Sequence, residues 1–288
     1  MTLRRAQPWL GTLVEIVAEG ADAATLNTAS DRAFARVAAV HTAMSFQHTG
    51  SELSRVNREA QRSWVALSPD LAAVFAAALD FAGESDGLFD PSVASWLVES
   101  GHLPRHPDTP AHAQPDWRAI ELDGDRVRYT RPLLVDLSGI AKGYAVDAAL
   151  ADLREAGLAA ATVNAGGDLA RFGDTAEPVH VRHPHQPTLS LRLAELRCGA
   201  VATSAGYFQP GALRHPRTGE SLCARTSVSV LAANCMTADA LTKVVAAAPG
   251  RAPGVLARYG AQAIMLDGGR TMLGDADGWR TLSMERAA

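Results

Sequence analysis

Hydrophobic positions along the chain change period several times, and each change marks an element. From Gly11 to Ala18 the run Thr-Leu-Val-Glu-Ile-Val-Ala alternates as a half-buried strand does. From Ala24 to Met44 the apolar set Leu26, Ala29, Phe34, Val37, Val40 and Met44 has helical spacing. Ser68-Pro69 supplies a cap followed by proline at the first helical position. Behind it Leu71, Val74, Phe75, Ala78, Leu79 and Ala82 line one face of a helix that ends near Gly83. The period is lost from Gly101 to Asp116, a stretch rich in Pro and His that reads as a long surface loop.

Ile120–Leu122 and Arg126–Tyr129 flank Asp123-Gly124, a hairpin signal. Leu133–Asp136 reads as a short buried strand running into Ser138-Gly139, and a helix from about Ile140 to Ala156 stops at Gly157. Strands are then predicted at 161–164, 179–182, 189–196, 200–203, 227–231, 262–266 and 271–273, interrupted by helices at 237–248 and 253–259. Strands come in runs with helices inserted, which predicts an α+β fold with mixed or antiparallel sheets, one domain over residues 1–288.

Composition narrows the function. The chain has 288 residues and 47% hydrophobic residues, enough for a sizeable core, and 27 Lys+Arg against 31 Asp+Glu give a net charge of −4. That balance argues against a nucleic-acid binder. No apolar run approaches the roughly 18 residues of a membrane helix. No secretory leader is visible, so the expected compartment is the cytoplasm, or the periplasm if a native leader precedes residue 1. Cys198, Cys223 and Cys235 lack metal-site spacing and read as buried free thiols.

Five segments carry candidate chemistry. In Val135-Asp136-Leu-Ser138-Gly139-Ile-Ala-Lys142-Gly-Tyr-Ala-Val-Asp147 a strand delivers a carboxylate to a small-residue turn and a helix start, where free N–H groups favour an anion. Lys142 there is either part of an anion site or a solvated helix-end lysine. Asn164-Ala-Gly166-Gly167-Asp168 allows close backbone approach to a ligand, or is a plain turn. In Cys235-Met-Thr237-Ala-Asp239-Ala-Leu-Thr-Lys243, Thr237 is a candidate cap and Asp239 either a first-turn dipole partner or a hard-cation ligand. Leu88-Phe89-Asp90-Pro91 puts an acid before a proline, and Met44 to Asn57 contains Gln47 and a capped helical turn in which Arg55 has Glu52 and Glu59 as possible partners. The histidines at 102, 106, 112, 180, 183, 185 and 215 lack the spacing of a helical zinc site, and the 183/185 pair reads as loop.

Taken in order, LGT, MSFQHTGSELSRVN, LFDPSV, VDLSGIAKGYAVD, VNAGGDL, ATSAGYF, HPRTGE and CMTADALTK resemble the FAD:protein FMN transferase family, the ApbE-like flavin transferases. The resemblance implies an α+β fold with one FAD cleft. It also implies cleavage of the FAD pyrophosphate, transfer of FMN to a Thr or Ser hydroxyl of an acceptor protein, release of AMP, and Mg²⁺ as metal. Carried onto this chain, the FAD contacts are Leu10, Gln47, Leu88, Phe89, Asp90, Asp136 and Lys142. The metal would be held by the carbonyl of Gly139, the carboxylate of Asp239 and a hydroxyl four residues later.

That hydroxyl position is Lys243, which cannot ligate Mg²⁺ while protonated. Either the ammonium takes the metal's place beside Asp239, or Lys243 points to solvent and a metal still binds through Asp239. Leu10 stands for the usual methionine, Gln47 for an aromatic residue or histidine, and His215 for the acid of an Asp-Pro-x-Thr-Gly motif. Ala212 stands where a catalytic histidine is often found. The resulting catalytic set is Asp239, Lys243 and His215, with Thr218 as a lesser candidate that otherwise caps a turn. The lead expectation is an FMN transferase; the alternatives are an FAD pyrophosphatase and a non-catalytic flavin carrier.

Overall fold

The computed structural model describes residues 1–20, 22–107, 109, 114–206, 211–222, 226–267 and 270–282. In chain order the first elements are β1 (Thr2–Trp9), β2 (Thr12–Glu19), α1 (Ala23–Met44), α2 (Glu52–Glu59), β3 (Val65–Ala66), α3 (Pro69–Glu84) and α4 (Ala94–Glu99). There follow β4 (Ile120–Asp123), β5 (Arg126–Tyr129), α5 (Ala141–Glu155), β6 (Ala160–Ala165), β7 (Asp168–Phe172), β8 (Glu177–His183) and β9 (Gln186–Leu196). The last are β10 (Gly199–Ala205), β11 (Thr226–Ala232), α6 (Cys235–Ala247), α7 (Ala252–Arg258), β12 (Gln262–Asp267), β13 (Arg270–Asp275) and β14 (Gly278–Leu282).

A nine-stranded sheet runs in the order β1-β2-β6-β7-β10-β11-β12-β13-β14, with every neighbouring pair antiparallel. The α+β class stands; of the two sheet types expected, the described residues use only antiparallel pairing. Alternation along each strand sorts side chains to two faces. On one face Val14, Ile16, Val163 and Ala170 pack under α1 and α5 through Leu26, Phe34, Val37, Val146 and Leu153. Val228, Val230 and Ala263 pack under α6 and α7 through Leu241, Val245 and Leu256. The opposite face is covered by the β8–β9 hairpin, whose Val179, Val181 and Leu191 meet Val201, Ile264 and Leu266. Three layers result, with the cleft described below at the end where hairpin, sheet and loops meet.

Several helix starts were written in the sequence. Ser68 Oγ accepts from Leu71 N–H, with Pro69 behind it, and Ser51 Oγ accepts from Ser54 N–H to open α2. Arg55 lies 3.7 Å from both Glu52 and Glu59, so it serves the helix surface. No helix among the described residues is long and apolar enough to cross a membrane.

Other expectations need correction. Leu133–Asp136 is buried but forms no strand. Its backbone is satisfied by a side chain instead: Asn57 donates to Val135 O at 2.8 Å and accepts from Val135 N–H at 2.9 Å. β1 escaped the pattern because it is an edge strand whose inward positions are Leu3, Arg5, Gln7 and Trp9, a weakly apolar set. α6 begins at Cys235, not Thr237, and its cap is Asn234, which accepts from Thr237 N–H. Of the cysteines, Cys235 is buried, Cys198 is exposed, and Cys223 lies outside the described residues, as does His112.

The approach of α5 to α6 sets the site. Asp239 on α6 accepts from Gly143 N–H of α5 at 3.1 Å, and Asp147 on α5 accepts from Cys235 and Met236 N–H of α6, each at 2.8 Å. Each helix thus uses a carboxylate of the other to satisfy first-turn amides that have no intrahelical partner. Burial pushes the Asp147 carboxyl up to about 6, against the two N–H groups that lower it. The folded state therefore holds this proton more tightly than the unfolded chain, whose carboxyl titrates at about 3.9. The site favours folding at low pH, and that contribution is lost as pH rises from about 4 through about 6. Asp147→Asn is expected to remove this dependence. The stability difference, variant minus wild type, should rise between pH 4 and 7 by up to about 3 kcal/mol in urea unfolding; a flat difference would contradict the assignment.

Candidate active site

A cleft of about 1280 Å³ opens between the β8–β9 hairpin, the ends of β2, β6 and β10, and the turns around residues 88–91 and 136–142. It gathers Leu10, Gln47, Leu88, Phe89, Asp90, Asp136, Gly139, Lys142 and Lys243, which lie far apart in sequence.

Leu10 and Gly11 form the two-residue loop between β1 and β2, both with positive φ, 56° and 72°. A type I′ geometry suits the strand twist, but a leucine there carries strain of roughly 1 kcal/mol or more. Gln47 is exposed on the rim beside His48 in sequence; the rings of Trp9, His41 and His48 stand 5.8 and 5.5 Å apart in succession. Burial lowers the His41 pKa, and His48 adds to that. Leu88 and Phe89 form an apolar wall, Phe89 edge-on to Phe81.

The two loop carboxylates are held locally. Asp90 accepts from Ser92 N–H at 2.8 Å and Ser92 Oγ at 2.6 Å, and burial raises its pKa. Asp136 accepts from Ser138 N–H at 3.2 Å and from Ser138 Oγ. Burial raises its pKa too, partly countered by Ser138 and the charge of Lys243.

At the floor stand two Lys–Asp pairs. Lys142 Nζ lies 2.5 Å from Asp168 Oδ2, a carboxylate 1% exposed whose other oxygen accepts from Thr203 N–H at 3.0 Å. Burial alone would lower the Lys142 pKa; the carboxylates of Asp168 and then Asp239 outweigh it and raise it. The Asn164–Asp168 segment is a hairpin turn through Gly166-Gly167, and its work is to aim Asp168 at Lys142. No spacing rule marks Asp168 in the sequence, because its partner is 26 residues away.

In the second pair, Lys243 Nζ bonds Asp239 Oδ1 and, at 2.9 Å, the Asp239 carbonyl. Asp239 is fully buried and its side chain partner is 18% exposed, so Lys243 turns inward rather than to solvent. Burial raises the Asp239 pKa; Lys243 and Lys142 oppose that, and Asp168 adds to it. An ammonium has three N–H donors. Lys243 spends two on Asp239, Lys142 is ion-paired with Asp168, and both side chains line the cleft. The remaining donors make a site for an anionic oxygen.

A divalent metal does not fit these residues. Both Asp239 oxygens are already engaged, by Lys243 and by Gly143 N–H. A Cβ built on Gly139 would meet Lys243 Cε at 3.4 Å, so the lysine stem fills the space between Gly139 and Asp239. No group of three or more His, Cys, Asp and Glu able to hold a metal occurs among the described residues. The expected metal pair Gly139 and Asp239 is therefore present but closed by Lys243.

His215 does not line the cleft. Its Nδ1 accepts from Arg217 and Thr218 N–H at 3.2 and 3.3 Å, which makes it a turn-holding residue. Thr218 likewise faces outward, donating to Glu220. Its neighbours Ala212 and Arg214 do line the cleft, and His102 packs against that loop: a Cβ on Gly211 would lie 3.1 Å from His102 Cε1 and 3.2 Å from Nε2. Ser100 Oγ, which donates to Trp96 O at 2.8 Å, lies 2.9 Å from His102 Nδ1. Which of Ser100 Oγ and His102 Nδ1 donates depends on the tautomer of the ring. Nothing in the sequence spacing connects His102 to residue 212.

The fold and site define an α+β protein with a deep cleft, apolar on one wall and bearing two ammonium groups on its floor. Comparison with known proteins places it more narrowly. The ApbE family profile matches residues 10–265. A Rhodobacter capsulatus protein named FAD:protein FMN transferase is 32% identical over 69% of this chain, which spans 42% of that protein's length. One of the same name from Vibrio cholerae is 31% identical over 77% of this chain and 72% of its own length. The solved Vibrio cholerae flavin transferase ApbE superposes with a TM-score of 0.78 at 26% identity, covering 98% of this chain and 96% of that one. The chain belongs to the ApbE family.

Proposed function

We propose that this protein transfers FMN from FAD to a Ser or Thr hydroxyl of an acceptor protein, with AMP as leaving group. The observation that carries this is the pair of inward-facing ammoniums, Lys142 and Lys243, at the floor of a cleft large enough for a dinucleotide. The acceptor oxygen bonds to the FMN phosphorus. The P–O bond to the AMP phosphate breaks, AMP keeps that electron pair, and the hydroxyl proton passes to a base. Such transfer is mainly positioning and charge stabilisation. Lys142 and Lys243 supply the charge; Leu10, Leu88 and Phe89 supply apolar surface for the ligand's rings. Mg²⁺, usual for this reaction class, has no open donor set here.

His102 is the base in this reading, standing beside the loop where Ala212 replaces the expected histidine. His102→Gln is expected to slow transfer by about 100-fold while leaving FAD affinity within about twofold. A transfer rate within about threefold of wild type would remove His102 from the reaction.

Ala212 also favours a second reading, in which water replaces the acceptor hydroxyl and FAD is split to FMN and AMP. One incubation separates the two. Purified protein is mixed with FAD and a threonine-bearing acceptor domain of the flavinylation type; flavin fluorescence is read on a denaturing gel and AMP by chromatography. A fluorescent acceptor band with AMP is the expected result. AMP without a band identifies a pyrophosphatase, and bound FAD with neither product identifies a carrier.

A further inference from the structure

The geometry points to Lys243 as a built-in replacement for a divalent cation: its ammonium, seated between Asp239 and the Gly139 turn, is the fixed positive charge for the FAD pyrophosphate, and FAD binding needs no metal. The identity of the anion rests on the flavin-transfer reading; the seat of the charge does not.

Lys243 stands one helical turn after Asp239 on α6, so both side chains leave the same face, with the acid on the N-terminal side where this pairing is favoured. The lysine stem passes within 3.4 Å of where a Gly139 Cβ would be, and the ammonium closes on the Asp239 carboxylate. A cation is thus already installed between the two groups that the family resemblance assigns to the metal.

The Asp239 carboxylate and carbonyl take two of the three ammonium N–H groups. The third is left for the cleft, which Lys243 lines next to Asp136, Gly139 and Lys142. Lys243 holds one carboxylate oxygen of Asp239 and Gly143 N–H the other, so a metal at Asp239 would have to displace the Lys243 ammonium.

Lys142, Lys243, Asp168 and Asp239 sum to zero when ionised; a divalent ion in place of the Lys243 ammonium would bring the sum to +1. The built-in cation attracts a pyrophosphate less strongly than a metal would, but it is present at every metal concentration. Metal salts then act on binding only as screening electrolytes.

Equilibrium dialysis of FAD against the protein tests this, in EDTA and in excess MgCl₂ at matched ionic strength. Wild type is expected to give dissociation constants that agree within about twofold. Lys243→Thr is expected to lose about tenfold or more in EDTA and to regain most of it with MgCl₂, because the hydroxyl frees Asp239 for a metal. Mn²⁺ titrated alone should bind Lys243→Thr and not wild type.

Wild-type FAD binding that appears only with MgCl₂ would overturn the inference. So would unchanged affinity of Lys243→Thr in EDTA. No FAD binding by wild type in either buffer would overturn the flavin reading itself, and with it the role given to Lys243. If Lys243→Thr does not fold, the doubly neutral Asp239→Asn/Lys243→Met serves: it should lose FAD affinity in both buffers, and retained affinity would overturn the inference.

Discussion

Asp239→Ala is expected to unfold this protein more readily than any other single change at the cleft. The carboxylate is fully buried and does three things: it holds the Lys243 ammonium, it satisfies Gly143 N–H, and it stands in the field of Lys142. Removing one member of a buried ion pair typically costs about 3–5 kcal/mol, because the partner's charge is left without compensation. The orphaned amide adds to that. At about 2–4 °C per kcal/mol for a domain of this size, the midpoint of thermal unfolding should fall by roughly 10 °C. FAD binding should be lost with it. The double variant Asp239→Ala/Lys243→Met should recover part of the stability, since the stranded charge is gone, and none of the binding. A single variant within about 2 °C of wild type would mean that the pair is not closed in solution.

The second large effect is expected at Gly143. In most helices glycine to alanine stabilises by roughly 1 kcal/mol. Here the sign reverses. A Cβ on Gly143 would lie 2.4 Å from Cys235 O and 2.8 Å from Met236 Cα, both backbone atoms at the start of α6 that cannot swing aside. The helices would have to separate, breaking Gly143 N–H to Asp239 and the two bonds to Asp147. Overpacking of this kind costs about 1–3 kcal/mol, and the hydrogen bonds lost bring the expected total to about 4. Gly254 in α7, exposed and with nothing within 4 Å of its would-be Cβ, is the matched control and should gain up to about 1 kcal/mol as alanine. Urea unfolding of the two variants checks both signs; a stable Gly143→Ala would contradict the close approach of α5 and α6.

These two residues show what the sequence could carry and what it could not. The amphipathic period of α1 and α3, the Ser68 cap and the alternation of β2 follow from local chemistry, and the elements stand where that chemistry puts them. The motif residues at 10, 47, 88–90, 136, 139, 142 and 243 converge on one cleft. Asp239 was legible as an acid near a helix start, but not as the cap of another helix 96 residues away. The strand expected at Leu133–Asp136 failed for a related reason: an apolar run signals burial, and burial alone does not say whether a strand or the Asn57 side chain satisfies the backbone. Asp168 and His102 escaped for want of any spacing rule, since their partners, Lys142 and the Gly211 loop, are brought to them by the sheet and the loop crossing. His215 erred the other way: a plausible side chain in a plausible motif, turned by its own hydrogen bonds to hold a tight turn.

In the proposed reading the cleft floor grips a pyrophosphate through Lys142 and Lys243. A pair of titrations, FAD and riboflavin, against wild type and Lys142→Met under the same conditions decides this. Riboflavin carries the same ring system and no phosphate. FAD affinity is expected to fall by about tenfold or more in the variant while riboflavin affinity stays within about twofold. An FAD affinity unmoved by the substitution, or an equal loss for both ligands, would contradict it.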